Sequence, residues 1–263
     1  MKIDMRALSA EARRTRRNVL KMGVIFGSAA ISGVKSASGS VGPTAIPRCF
    51  LRGAKILTTK GEANVEDLVI GDLLPTRFGG VRPIQWIGRY PFKRSNSSKP
   101  WPKATRPVQI ARSALADNVP HADLYVTQGH GLLIDDVLVP AGCLINGTTI
   151  TLCEASELDE LEFFHIKLAV HDVIYAEGAP VETLLRVDES AVNFAEYFRL
   201  TGAPASDEVP CAPILSDQRL GSGWKSRYRS AISWMDRRRQ IAAIRDRLQK
   251  RGSALVQEVE TSL

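Results

Sequence analysis

Apolar and polar positions divide the chain into three stretches with different periods. Between residues 48 and 187, short apolar runs are separated by turn residues at intervals of roughly eight to twelve positions, which predicts an all-β domain. Lys55-Ile56-Leu57-Thr58-Thr59 and Ala63-Asn64-Val65 flank Lys60-Gly61, a tight-hairpin pattern, and Gly71-Asp72 and Phe78-Gly79-Gly80 mark the next turns. Residues 81–88 predict a strand, residues 90–107 with their four prolines a surface loop, and residues 108–110 a strand followed by a short helical turn over 111–116. Further strands are predicted at 124–127, 131–134 and 137–140, with a turn at Asp135-Asp136. Asn146-Gly147 predicts a hairpin joining 144–145 to 148–150, and 161–168, 170–176 and 181–187 close the series.

The flanks read differently. Thr15-Arg16-Arg17-Asn18-Val19-Leu20-Lys21 precedes a weakly apolar run, residues 22–34, and then small residues from Ser36 to Ser40. Paired arginines, a short Gly/Ala/Ser-containing apolar segment and a small-residue zone resemble a twin-arginine signal over residues 1–40. The apolar run of 13 residues falls short of the roughly 20 that span a bilayer. The expectation is export through the twin-arginine machinery to the periplasm or beyond, with Arg16 and Arg17 as the motif and residues 41–47 as a linker. Beyond the β stretch, residues 191–200 predict a helix with Val192, Ala195 and Phe198 on one side, and 201–213 a proline-containing linker. Residues 226–249 predict a helix with Trp234, Ile241, Ile244 and Leu248 on one face. Residues 188–263 thus form a mostly helical extension.

Charge refines this picture. The formal charge is +7, but residues 1–35 and 225–263 each carry +6, which leaves the middle at −5. The basic balance therefore gives the central domain no nucleic-acid footprint. For the basic C-terminal helix, packing its apolar stripe on the domain or on a second copy is favoured over membrane association. The four cysteines and four histidines show no CxxC or HExxH spacing, so neither a structural zinc site nor any other metal or cofactor is expected.

Chemistry concentrates at Arg48-Cys49-Phe50, where a cysteine stands immediately before the first strand. A thiol there can attack the carbonyl of the preceding residue through a small ring, with a high effective concentration. Such an attack makes Arg48–Cys49 a candidate self-processed bond.

Cys49-Phe50, Gly53, Ile56, Thr58 or Thr59, Gly61, Val65-Glu66-Asp67-Leu68 and Gly71-Asp72 resemble the opening block of the Hint domains of Hedgehog proteins and inteins. The bacterial Hint family is the most similar. Thr127-Gln128-Gly129-His130 is similar to its TxxH block. Phe164-His165-Ile166-Lys167-Leu168, His171-Asp172-Val173-Ile174, Ala176-Glu177-Gly178 and Glu182-Thr183 resemble its closing strands. The resemblance implies a horseshoe-like all-β fold and an N-to-S acyl shift. In that chemistry Cys49 is the nucleophile, His130 the general acid that protonates the leaving nitrogen, and Thr127 a hydrogen-bonding partner of the scissile amide. His171 and Asp172 are expected to tune the thiol or the histidine. An Asp that activates the cysteine in Hedgehog-type members has Asp117 and Asp123 as its candidates here.

Residues 179–185 lack the His-Asn pair with which splicing inteins end, so cleavage by water or transfer to a small nucleophile is expected instead of splicing. The competing expectation is an exported, non-catalytic binding or structural module with the same fold.

Overall fold

The computed structural model describes residues 48–94, 96–187, 190–202, 209–215 and 234–261. The expected signal segment, Arg16 and Arg17 included, and the 41–47 linker lie outside them.

In chain order the strands are β1 (Phe50–Leu51), β2 (Lys55–Thr58), β3 (Gly61–Asn64), β4 (Leu73–Thr76), β5 (Gly80–Pro83), β6 (Trp86–Lys93), β7 (Val108–Ile110), β8 (Leu124–Val126), β9 (Gly131–Ile134), β10 (Val137–Pro140), β11 (Ile150–Leu152), β12 (Glu160–Lys167), β13 (Val173–Ala176) and β14 (Ala179–Glu182). Two helices follow, α1 (Phe194–Thr201) and α2 (Trp234–Thr261). One six-stranded sheet has the order β11-β7-β8-β1-β12-β6, a second the order β10-β9-β14-β13-β2-β3, and β4 and β5 form a separate hairpin. Every strand pair is antiparallel.

Turn chemistry explains the tight hairpins. Asp135 and Asp136 have φ of 50° and 59°, and Glu177 and Gly178 have φ of 47° and 77°. Two consecutive residues in the left-handed region match the right-handed twist of the strands they join, which sets the registers of β9 with β10 and β13 with β14. Apolar residues from both sheets, among them Phe50, Ile56, Leu124, Leu132, Ile166 and Ile174, meet in one core.

The chain passes from the first sheet to the second at three places: between β1 and β2, between β8 and β9, and between β12 and β13. Cys49 precedes the first crossing. Thr127 and His130 lie on the second, and His171 and Asp172 on the third.

Several expectations are corrected. The predicted 90–107 loop begins inside β6, which stays paired with β12 to Lys93. As the outermost strand of its sheet, β6 accommodates Pro91 because no further neighbour needs that N–H. Trp101, within the same segment, is buried and donates its indole N–H to the Leu158 carbonyl at 3.0 Å. Asn146-Gly147 forms no hairpin between flanking strands: Asn146 Oδ1 accepts from the backbone N–H groups of Thr148, Thr149 and Ile150, and β11 pairs with β7. This self-contained Asn turn out-competes the two-residue hairpin.

In α1 the buried side chain is Tyr197, packed on Trp86 with ring centroids 5.1 Å apart, whereas Val192 and Phe198 are exposed. Of the predicted 201–213 linker, Thr201 ends α1 and the described residues from 209 onward run against the body. Leu138 donates its N–H to the Pro213 carbonyl, and Leu215 donates to the Leu138 carbonyl, each at 2.8 Å. In α2, Ile241, Ile244 and Leu248 are buried, as the apolar stripe predicts. The helix lies on the 141–149 segment, where Asn146 donates to the Leu248 carbonyl, and beyond it Arg251 pairs with Asp117 at 2.6 Å. No helix among the described residues is long and apolar enough to cross a membrane.

Candidate active site at the Arg48–Cys49 bond

Strand β1 is held between β8 and β12, with Phe50 opposite both Val126 and Phe164. That double pairing places Cys49, fully buried, directly beside the end of β8. Thr127 grips it twice. The Cys49 N–H donates to Thr127 Oγ1 at 2.9 Å, and the Thr127 N–H donates to the Cys49 carbonyl at 2.9 Å. The first of these bonds engages the nitrogen of the Arg48–Cys49 peptide itself.

His130 follows on the same loop. Its N–H donates to the Thr127 carbonyl at 3.1 Å, and its ring packs on Phe50 at a centroid distance of 4.4 Å. The side chain is fully buried, and neither ring nitrogen has a hydrogen-bond partner. Burial lowers its pKa to about 4, with Glu182 opposing and the Arg48 charge assisting. The backbone of Glu182 and of Cys49 lies near enough to favour the charged ring without closing a hydrogen bond of ordinary geometry. A buried polar group left without a partner calls for a reason, and a proton carrier is one.

His165, on β12, lies beside it with ring centroids 5.3 Å apart. Burial first, then the neighbouring His130, Arg48, His171 and Lys167, hold its pKa well below the usual histidine range.

Glu182 completes the cluster. It is 1% exposed, yet its pKa falls to about 2: burial pushes it up, but the Arg48 charge and then His171 outweigh that push. Oε1 accepts from the Gly131 N–H at 2.7 Å, and Oε2 accepts from Arg48 Nη1 at 3.0 Å and lies 3.3 Å from His171 Nε2. The pairing of Val181 with Leu132 brings the end of β14 to the start of β9 and sets this arrangement.

A family model described as "Hint domain" matches residues 48–188. The chain belongs to the Hint domain family. Hint and intein domains are in general self-processing. Among solved structures, the gp41-1 intein is 14% identical, with 51% of this chain and 97% of that chain covered and a TM-score of 0.35. A DnaB intein from Synechocystis sp. PCC 6803 is 10% identical, with 52% and 98% covered and a TM-score of 0.36. A bacterial intein-like domain from Clostridium thermocellum is 14% identical, with 52% and 99% covered and a TM-score of 0.37. A search of curated proteins finds no match.

Within this Hint domain Cys49, Thr127 and His130 come together, and His171 joins them through Glu182. Asp172 does not. Its carboxylate accepts from Thr76 Oγ1, Arg82 Nε and the N–H groups of Phe78 and Val173, which ties the β4–β5 hairpin to the body. Asp123 accepts from Gln109 and Arg112, and Asp117 pairs with Arg251, so neither reaches the cysteine.

None of the four cysteines, all among the described residues, is in a disulfide. Cys211 donates its backbone N–H to His171 Nδ1 at 3.0 Å, and burial pushes its own thiol up to about 12, with Asp172 and Glu182 adding to the shift. That thiol is no nucleophile near neutrality. Among the described residues no group of three His, Cys, Asp or Glu is placed to hold a metal ion.

The sequence patterns missed Glu182 and His165 as members of the site. Both sit in strands where alternation predicts an ordinary core position, and a charged residue at such a position was the available signal.

Proposed function

We propose that this Hint domain cuts its own chain at Arg48–Cys49 through a thioester and does not splice. The observation that carries the reading is an Arg48–Cys49 amide held by Thr127 and, on the same loop, a buried imidazole whose ring nitrogens have no hydrogen-bond partner. His130 rests neutral, so it first takes the proton of the Cys49 thiol. The sulfur then bonds to the Arg48 carbonyl carbon, the carbon–nitrogen bond breaks, and His130 returns the proton to the departing nitrogen. This account makes His130 a base before it is an acid. Water or a small nucleophile next attacks the thioester, releasing the Arg48 carboxyl group or its adduct and regenerating the thiol. Residues 179–185 contain no His-Asn pair, which supports cleavage as the end of the reaction.

Incubating the full chain with dithiothreitol or hydroxylamine and reading its intact mass tests the proposal. Cleavage before Cys49, abolished by Cys49→Ala, is expected; an intact bond under both reagents refutes it. The complete burial of Cys49 favours a second reading, a non-catalytic module that keeps the fold, and the same intact mass identifies it.

We also propose export by the twin-arginine route, on the strength of Arg16-Arg17 and the segment that follows. Replacing both arginines by lysine should retain the protein in the cytoplasm, and undiminished export overturns this.

A further inference from the structure

We propose that Glu182 reads the side chain on the acyl side of the bond, so that the domain processes a basic residue at position 48 in preference to a neutral or acidic one. The inference rests on the cleavage reading above.

The carboxylate is built to receive a cation. Gly131 lets it approach, since a Cβ at that position would stand 2.7 Å from Oε1, and the Gly131 N–H donates to the same oxygen. His171 supplies the second scaffold contact. Its Nδ1 accepts the Cys211 N–H, which leaves Nε2 as the nitrogen that donates toward Oε2. The permanent positive charge in contact with Glu182 is the Arg48 guanidinium, whose side chain is 22% exposed and reaches in from the edge of the site. A neutral residue at 48 leaves a buried carboxylate without its counter-charge, and an acidic one adds repulsion.

The contact also has a positional role. The Arg48 side chain is fixed on Glu182, and the nitrogen on the far side of the Arg48 carbonyl is fixed on Thr127. Two anchors therefore flank the carbon that the sulfur must reach, which is the geometry that converts proximity into rate. Through its grip on Arg48, the Glu182 side chain is a positioning and specificity element.

The test is a cleavage series on the full chain with dithiothreitol as acceptor. Arg48→Met should slow cleavage by about tenfold or more, and Arg48→Lys should fall between Met and Arg. In a Glu182→Gln background the Arg48→Met change should alter the rate by less than about threefold, because the charge it serves is gone. If Glu182→Gln does not fold, Arg48→Ala with millimolar ethylguanidinium replaces it: recovery of rate is expected, and a merely structural arginine gives none. Equal rates for Arg48 and Arg48→Met overturn the inference while leaving the cleavage reading intact. No cleavage of the unaltered chain removes both.

Discussion

The hydrogen bond from the Cys49 N–H to Thr127 Oγ1 offers the sharpest separation of fold from chemistry. Thr127→Val keeps the side-chain shape and the reciprocal bond from the Thr127 N–H to the Cys49 carbonyl, so the segment stays in register. What it removes is the acceptor for a fully buried amide, 2.9 Å away. Leaving such a donor unsatisfied costs about 1–3 kcal/mol. At roughly 2–4 °C per kcal/mol for a chain of this size, that lowers Tm by about 2–12 °C. If the same bond orients the amide for expulsion of its nitrogen, losing about 1.4–2.8 kcal/mol in the transition state slows cleavage about 10–100-fold. Thermal unfolding belongs in a Cys49→Ala background so that the chain stays whole, and rates are read by intact mass in hydroxylamine. Thr127→Ser, which retains the hydroxyl, should recover most of both losses. Cleavage of Thr127→Val at the unaltered rate would refute the catalytic part of the reasoning, even with a lowered Tm.

Other outcomes follow from the same contacts. His130 has its pKa depressed from 6.5 to about 4, so its neutral form stabilises the fold fully above pH 6.5 and that contribution, about 3 kcal/mol, is lost as pH falls toward 4. Urea unfolding of the Cys49→Ala protein should weaken over that window, and His130→Gln should flatten the slope; identical slopes contradict it. Glu182, depressed from 4.5 to about 2, contributes stability present above pH 4.5 and lost as pH falls toward 2, so its window lies mostly below that of His130. Leu248→Ala should cost about 2–4 kcal/mol in denaturant unfolding, because its side chain is 1% exposed beneath α2; a cost under about 0.5 kcal/mol means the helix is not docked. Asp172→Ala removes the acceptor that gathers Thr76, Phe78 and Arg82. Hydrogen exchange should then rise across residues 76–83 with little change in cleavage rate, and a large loss of cleavage would return Asp172 to the chemistry.

Much of the β architecture was legible because alternation and turn residues act locally. Asp135-Asp136 and Glu177-Gly178 specify their hairpins within four residues. What local pattern does not encode is which strand an edge finds. β6 outlasts its apparent end because β12 supplies a partner along its whole length, and Asn146-Gly147 loses its hairpin because the Asn side chain binds three amides of its own turn. Cys49, Thr127 and His130 were recognisable as a set from spacing and resemblance. Glu182 was not, because its significance depends on a register between β14 and β9 and on an arginine 134 positions away. Asp172 looked chemical beside His171, yet successive residues entering a strand point in opposite directions, and it serves the hairpin.

The docking of α2 reaches further than its own stability. Ala141 donates to the His130 carbonyl at 2.9 Å and Gly142 to the Gln128 carbonyl at 2.8 Å, so the short 3-10 turn at Ala141–Leu144 backs the loop that carries Thr127 and His130. α2 lies against this turn and the residues just beyond it, where Asn146 donates to the Leu248 carbonyl. A chain emerging from the ribosome thus possesses its cysteine, its threonine and its imidazole well before Ile241 and Leu248 arrive to brace them from outside. On the proposed function, the loop that carries Thr127 and His130 gains its outer support only once the C-terminal helix has been made.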